Sequence, residues 1–206
     1  MLEIDHVLFP VLDLDAAATD LLDHHGIASV PGGRHPGHGT GNRIVPLGDT
    51  YLELIAVVDP TEAEASPMGR WVTRNASHHF EPVSLCLRTD DIEPIADALD
   101  EQAVRMVRQR VDGSEVAWCL VGLEEMTGVG NLPFYIQWET APGDHPAQTA
   151  IDHPAGDLRL LEVVIARVPE NRAFVAEANR LVLANAPVGV RRVVLAGRDG
   201  VISFSR

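Results

Sequence analysis

The order of apolar runs in this chain starts over after residue 80, and that restart restricts the fold more than any other feature. In the first pass, residues 2–11 read as a strand with Asp5 and His6 as its interior polar residues. Residues 14–25 have helical periodicity, with Leu14, Ala17, Ala18, Leu21 and Leu22 on one face, Asp13 as N-cap and Gly26 as the stop. Residues 27–30 read as a short strand and Pro31-Gly32-Gly33 as a loop. A Gly/His/Pro cluster follows from residue 34, which argues against regular structure there. Residues 42–47 and 51–57 then read as a β-hairpin around Gly48-Asp49.

The second pass repeats the plan. Residues 59–80 form a polar, irregular or partly helical connection that holds Trp71. A strand is expected at 82–89 and a helix at 92–99, capped by Asp90 or Asp91. Strands at 106–110 and 115–123 flank a turn at Asp112-Gly113, and a last strand at 132–138 follows the Gly128-Val129-Gly130 loop. DLDAAATDLL lies over DIEPIADALD, and the spacing of roughly 80 residues suits a duplicated small domain rather than a solenoid. A third, partial unit has a strand at 158–168, a helix at 170–184 and a hairpin from 191–196 and 201–204. The expected fold is α+β. Paired β-α-β-β-β modules in residues 1–140 form a curved, mostly antiparallel sheet. A linker spans 141–157, and a C-terminal β-α-β-β extension, 158–206, packs on the first two modules or in a dimer. The open sheet edge of the incomplete unit must be covered by the same chain or by a second copy, so a homodimer is an expectation.

Composition excludes several partners. A net charge of -14, spread along the chain, argues against nucleic acid. Neither a secretory leader pattern at the start nor a run of the ~20 apolar residues needed to span a membrane is seen. Cys86 and Cys119 lie in apolar runs without metal-like spacing and read as buried thiols in a reducing compartment, so a cytoplasmic location is expected.

The chemistry concentrates around residues 34–57. In the strand 51–57, Tyr51, Glu53 and Ile55 share one face and Leu52, Leu54 and Ala56 the other. A lone carboxylate there is costly to bury, so that face is wet or Glu53 meets a cation, a metal or a donor. His6 on a neighbouring strand would complete a pocket, with Glu53 orienting the imidazole as a general acid/base couple. His35 and His38 sit in the glycine-rich loop, either as exposed polar residues or as part of the site's lining. Arg34 and Arg43 either hold an anionic group or pair with the acidic surface. Asn42 either satisfies the strand's backbone or touches substrate. Gly37, Gly39 and Gly41 neither follow a strand nor open a helix, so they are not a dinucleotide fingerprint. Trp71, Trp118, Phe134 and Trp138 read as core, and His78, His79, Asp152 and His153 as surface. Gln137 shares an unusually polar strand face with Tyr135 and Glu139.

The paired modules, the IDHV opening and the GTGNRIVPLGDTYLELIAV hairpin resemble the vicinal oxygen chelate superfamily of glyoxalases, bleomycin-resistance proteins and extradiol dioxygenases. The likeness is greatest to its glyoxalase-like domain branch, through residues 32–43, 51–55 and 132–138, and covers residues 2–140 with an extension into the third unit. The resemblance implies a cup made of two half-modules. It also implies a divalent metal, Zn, Mn, Fe or Ni, held by a first-strand His and last-strand Glu residues and acting as a Lewis acid. His6 and Glu53 match those positions, and the second unit offers Ser84 and Gln137 at theirs. The implied metal set is thus His6, Glu53 and Gln137, with His6 and Glu53 catalytic. His35, His38, Asn42, Arg43, Tyr51 and Gln137 are the implied substrate contacts. The implied function is a small-molecule enzyme of lyase, isomerase or dioxygenase type. The alternative is a metal-free, resistance-type protein that binds or sequesters a small molecule.

Overall fold

The computed structural model describes residues 2–109, 115–140, 143–166, 168–186 and 189–206. The first module contains β1 (Glu3–Pro10), α1 (Leu14–His25), β2 (Val30–His35), β3 (Thr40–Pro46) and β4 (Tyr51–Val57). Two short helices, α2 (Pro60–Ala65) and α3 (Pro67–Asn75), lead to the second module, formed by β5 (Ser84–Arg88), α4 (Glu93–Leu99), β6 (Val104–Gln109), β7 (Glu115–Val121) and β8 (Phe134–Trp138). The eight strands run in the order β2-β3-β4-β1-β5-β8-β7-β6, so each module contributes one half of the sheet, and the whole curls into a half-barrel. Within each module the first and last strands pair in parallel, β1 with β4 and β5 with β8, while β1 and β5 join the modules antiparallel. The remainder is β9 (Arg159–Ala166), β10 (Leu181–Ala184), β11 (Val190–Gly197) and β12 (Gly200–Ser205), a separate sheet ordered β10-β9-β11-β12.

Local chemistry accounts for the elements that came out as expected. Asp13 accepts hydrogen bonds from the backbone N–H groups of Asp15 and Ala16, and Gly26 ends α1 in the left-handed conformation at φ 63. Other elements differ from the sequence reading. β2 runs through Pro31, Gly32 and Gly33 instead of stopping before them, paired to β3 with a bulge between Pro31 and Gly33. The connection 59–80 is mostly helical, because Asp59 and Ser66 each cap a helix that begins with proline. α4 has no Asp cap; the side-chain oxygen of Gln137 accepts from the N–H of Ile92 at its start. The expected helix at 170–184 is a 3₁₀ stretch at Glu170–Glu177 followed by β10, which pairs with β9 in parallel beyond Arg180 at φ 66. The 128–130 loop begins at a kink in Met126–Gly130, where Gly128 leaves the helical conformation at ψ -109. The Asp112-Gly113 turn lies outside the described residues.

The two faces of the large sheet have different coverings. On the convex face, α1, α4 and the C-terminal sheet share one core, in which Leu21, Leu85, Leu87, Tyr135, Val163 and Val193 are all buried. The ring of Phe204 meets that of Phe9 at 5.7 Å, and Val190 donates a backbone hydrogen bond to Val83. On the concave face, α3 closes one end of the cup. Its Trp71 packs with Leu8, Ile55, Cys86 and Phe134, and the indole N–H donates to Asn131 at 2.7 Å. Both Trp71 and Phe134 are buried, as expected.

Candidate active site

The concave face holds a cavity of about 130 Å³, and His6 and Glu53 both line it. β1 and β4 are neighbours in register, His6 opposite Tyr51 and Leu8 opposite Glu53. Strand alternation therefore sends Tyr51, Glu53 and Ile55 inward together, as the sequence indicated. His6 Nε2 lies 3.3 Å from Glu53 Oε2, and both side chains are nearly buried. Tyr51 stacks on the imidazole at 4.6 Å between ring centres. Asn42 donates from Nδ2 to Glu53 Oε1 at 2.7 Å, and His35 Nε2 is 3.8 Å from the same oxygen. Among the described residues Asn42 Oδ1 is buried with no hydrogen-bond partner. His35 and His38 line the cavity, held through their Nδ1 atoms by Thr40 Oγ1 and Ser66 Oγ respectively, each at 2.9 Å.

A residue that the sequence left unassigned organises this group. Asp5 is fully buried, and its Oδ1 lies 2.6 Å from His6 Nδ1. Adjacent strand residues normally point to opposite faces. Here the β1–β5 pairing passes from Ile4 opposite Leu87 to His6 opposite Cys86, leaving Asp5 as an extra residue. That bulge lets Ile4 enter the convex core while Asp5 and His6 both reach the concave side. Asp5 Oδ2 accepts from Trp138 Nε1 at 2.9 Å and lies 2.8 Å from His145 Nε2. Burial pushes the Asp5 carboxyl up, but the bonds with His145 and His6 outweigh burial and hold it well below the usual carboxylate range. His145 comes from the segment read as a bare linker. That segment is tied down further by His153, which accepts at Nδ1 from the N–H of Ala28 and donates from Nε2 to the carbonyl of Pro46, so His153 is structural rather than a surface residue. His78 and His79 are exposed, as expected.

Two expected site residues lie elsewhere. On β8 the inward positions are Phe134, Ile136 and Trp138, so Gln137 faces the other way and caps α4. Placing Gln137 at Glu53's counterpart was a one-residue slip, which on a strand exchanges the faces. Arg43 also points away from the cavity, bonding Ser29 and pairing with Asp15 at 3.2 Å to fix α1 against the sheet. Arg34 does reach the cavity mouth, where it lies 3.8 Å from both Asp59 and Glu62.

These positions bear on the metal. Of the implied ligands His6, Glu53 and Gln137, only His6 and Glu53 face the cavity, where His35 and His38 are further imidazoles; catalytic sites of the zinc type keep three protein ligands. A second group, Asp5, His6 and Cys86, has donor atoms within 4.8 Å of one another, close enough to share one ion. However, both Asp5 oxygens are already engaged. Burial, with the Asp5 and Glu53 charges, pushes the Cys86 thiol well above its ordinary range, away from the ligating thiolate. The implied trio of His6, Glu53 and Gln137 is therefore not assembled.

Comparison with known proteins gives a consistent family. Residues 4–182 match the family model described as glyoxalase-like domain. No curated protein matches the chain. A hypothetical protein from Staphylococcus aureus of known structure is 18% identical with a TM-score of 0.60, over 100% of this chain and 86% of that one. Methylmalonyl-CoA epimerase from Mycobacterium tuberculosis is 22% identical with a TM-score of 0.44, covering 68% of this chain and 89% of its own. A Streptomyces coelicolor methylmalonyl-CoA epimerase in complex with 2-nitronate-propionyl-CoA is 20% identical with a TM-score of 0.43, covering 68% and 96%. No helix among the described residues is long and apolar enough to cross a membrane. The matched residues 4–182 make up most of the length, and the chain belongs to the glyoxalase-like domain family.

Proposed function

We propose that the protein is a small-molecule enzyme that moves a proton on an oxygen-bearing substrate, an isomerase- or lyase-type reaction with His6 as the base. One observation carries this reading: an imidazole braced at Nδ1 by a buried carboxylate, with Nε2 turned to Glu53 and the cavity. The Asp5 carboxylate only accepts hydrogen bonds and so fixes a ring proton on Nδ1, which leaves Nε2 as the atom that exchanges a proton with Glu53 or with the substrate. With a carbonyl compound in the cavity, Nε2 takes a proton from the carbon next to the carbonyl, and the electron pair moves into an enolate. The imidazolium is stabilised between Asp5 and Glu53 and returns the proton to the same or a neighbouring carbon, so no proton is gained or lost overall. The rings of His35 and His38 are the donors at hand for the enolate oxygen. The proton transfer needs only His6 and Glu53, and no step is routed through a metal.

Deuterium exchange tests this. Hydroxyacetone or phenylacetone incubated with the protein in heavy water should exchange the C–H next to the carbonyl faster than in buffer. The exchange should persist after chelator treatment and fall by roughly 10²-fold or more in His6→Ala. Exchange unaffected by that substitution, or abolished by the chelator, sinks the reading. Ligand-induced stabilisation without any exchange would return the protein to the sequestering alternative.

A further inference from the structure

The cavity is chemically divided, and the division follows the two modules. Its polar wall, with His6, Asn42 and Glu53, comes from the first module. The second contributes Trp118, Leu120, Phe134, Ile136 and Trp138, aligned across strands with Trp118 opposite Trp138 and Leu120 opposite Ile136. The two indoles lie 5.5 Å apart, and Trp138 also reaches Asp5, which joins the apolar wall to the acid/base group. These residues pack into one cluster, with Leu120, Phe134 and Ile136 buried, and the side that borders the cavity is an apolar wall that favours an apolar occupant.

We infer that the substrate is an uncharged carbonyl compound bearing one apolar group about the size of an aromatic ring. The placement of its carbonyl rests on the proton-transfer reading; the placement of its apolar body on the second module's wall does not. Size follows from the cavity, whose volume of about 130 Å³ approaches that of the ~150 Å³ apolar cavities that take up benzene. Charge follows from the polar wall. An anionic head would meet the Glu53 carboxylate, with Asp5 behind it, while the Arg34 guanidinium at the mouth already lies between Asp59 and Glu62. Beside Glu53 a permanently charged head therefore meets more repulsion than pairing, while the transient enolate oxygen lies at the His35 and His38 rings.

Three probes separate these features: phenylacetone, hydroxyacetone and phenylpyruvate, titrated against the full chain by ligand-observed saturation-transfer NMR. Phenylacetone should bind at least about tenfold more tightly than either of the others. Leu120→Trp, which fills the apolar half, should abolish phenylacetone binding. Trp118→Ala should weaken phenylacetone about tenfold more than hydroxyacetone. Should Leu120→Trp fail to fold by circular dichroism, Trp118→Ala at its partly exposed position decides alone. Phenylpyruvate binding as tightly as phenylacetone, or substitutions that affect both ketones equally, would overturn the inference. Selective phenylacetone binding without deuterium exchange supports it while sinking the proton-transfer reading; exchange without selectivity does the reverse.

Discussion

Asp5 controls the orientation of His6, and the chain position that allows this is a single unpaired residue in β1. Its depressed pKa gives a testable pH dependence. A carboxyl whose folded pKa lies below its unfolded value of about 3.9 adds stability above that value, and the contribution fades as pH falls through the lower folded pKa. Urea midpoints of the native protein should therefore decline steeply below about pH 4, and those of Asp5→Asn, though lower at neutral pH, should decline less over the same interval. Parallel curves would refute the assignment. At this scale the sequence was informative where strand alternation held: Tyr51 and Glu53 face the cavity because residues two apart share a face. It misled where alternation was interrupted or misregistered. The bulge hid Asp5, and a slip of one position placed Gln137 on the wrong face. His145 carried no local pattern that could be read, since its partner Asp5 is 140 positions away.

Among the elements, the β2–β3 turn has a geometry that admits little change. Gly39 has φ 64, and a Cβ there would lie 2.2 Å from the backbone nitrogen of Ala63 and 2.4 Å from the carbonyl oxygen of Asp59. The turn also accepts at the Gly39 carbonyl from the N–H groups of Val58 and Asp59, so α2 is docked directly on it. Gly39→Ala must separate the two backbones or strain the turn, and should cost about 2–4 kcal/mol in urea unfolding. A loss under about 0.5 kcal/mol would show that the turn relaxes freely. The bounds of α1 were legible because Asp13 and Gly26 mark both ends chemically, but its inward face is narrower than the periodicity indicated, with Ala17 and Leu21 buried and Leu22 exposed. β2 was not, because glycine and proline ordinarily signal a loop. Here a bulged strand at the sheet's edge, paired on one side only, accommodates them. β10 resembled a helix for a related reason: four residues at the end of an apolar run carry too little periodicity to reveal a partner strand.

For the whole molecule, the C-terminal sheet is the cover of the convex face rather than an appendage. Leu85 and Leu87 are fully buried in the core that it shares with the two modules. Truncation after residue 157 should strip that cover and leave a chain with secondary structure, weakened near-ultraviolet circular dichroism and strong binding of a hydrophobic dye. A truncated protein with native-like tertiary signals would show that the modules fold without it. The duplicated strand-helix-strand order and the inward Glu53 could both be read along the chain, because each depends on spacing between near neighbours. Three features required the fold: the meeting of Asp5, His6 and His145, the exclusion of Gln137 and Arg43 from the cavity, and the separation of polar and apolar walls. Each depends on how strands distant in sequence register against one another, and a one-residue shift in that register reverses which side chains share a space.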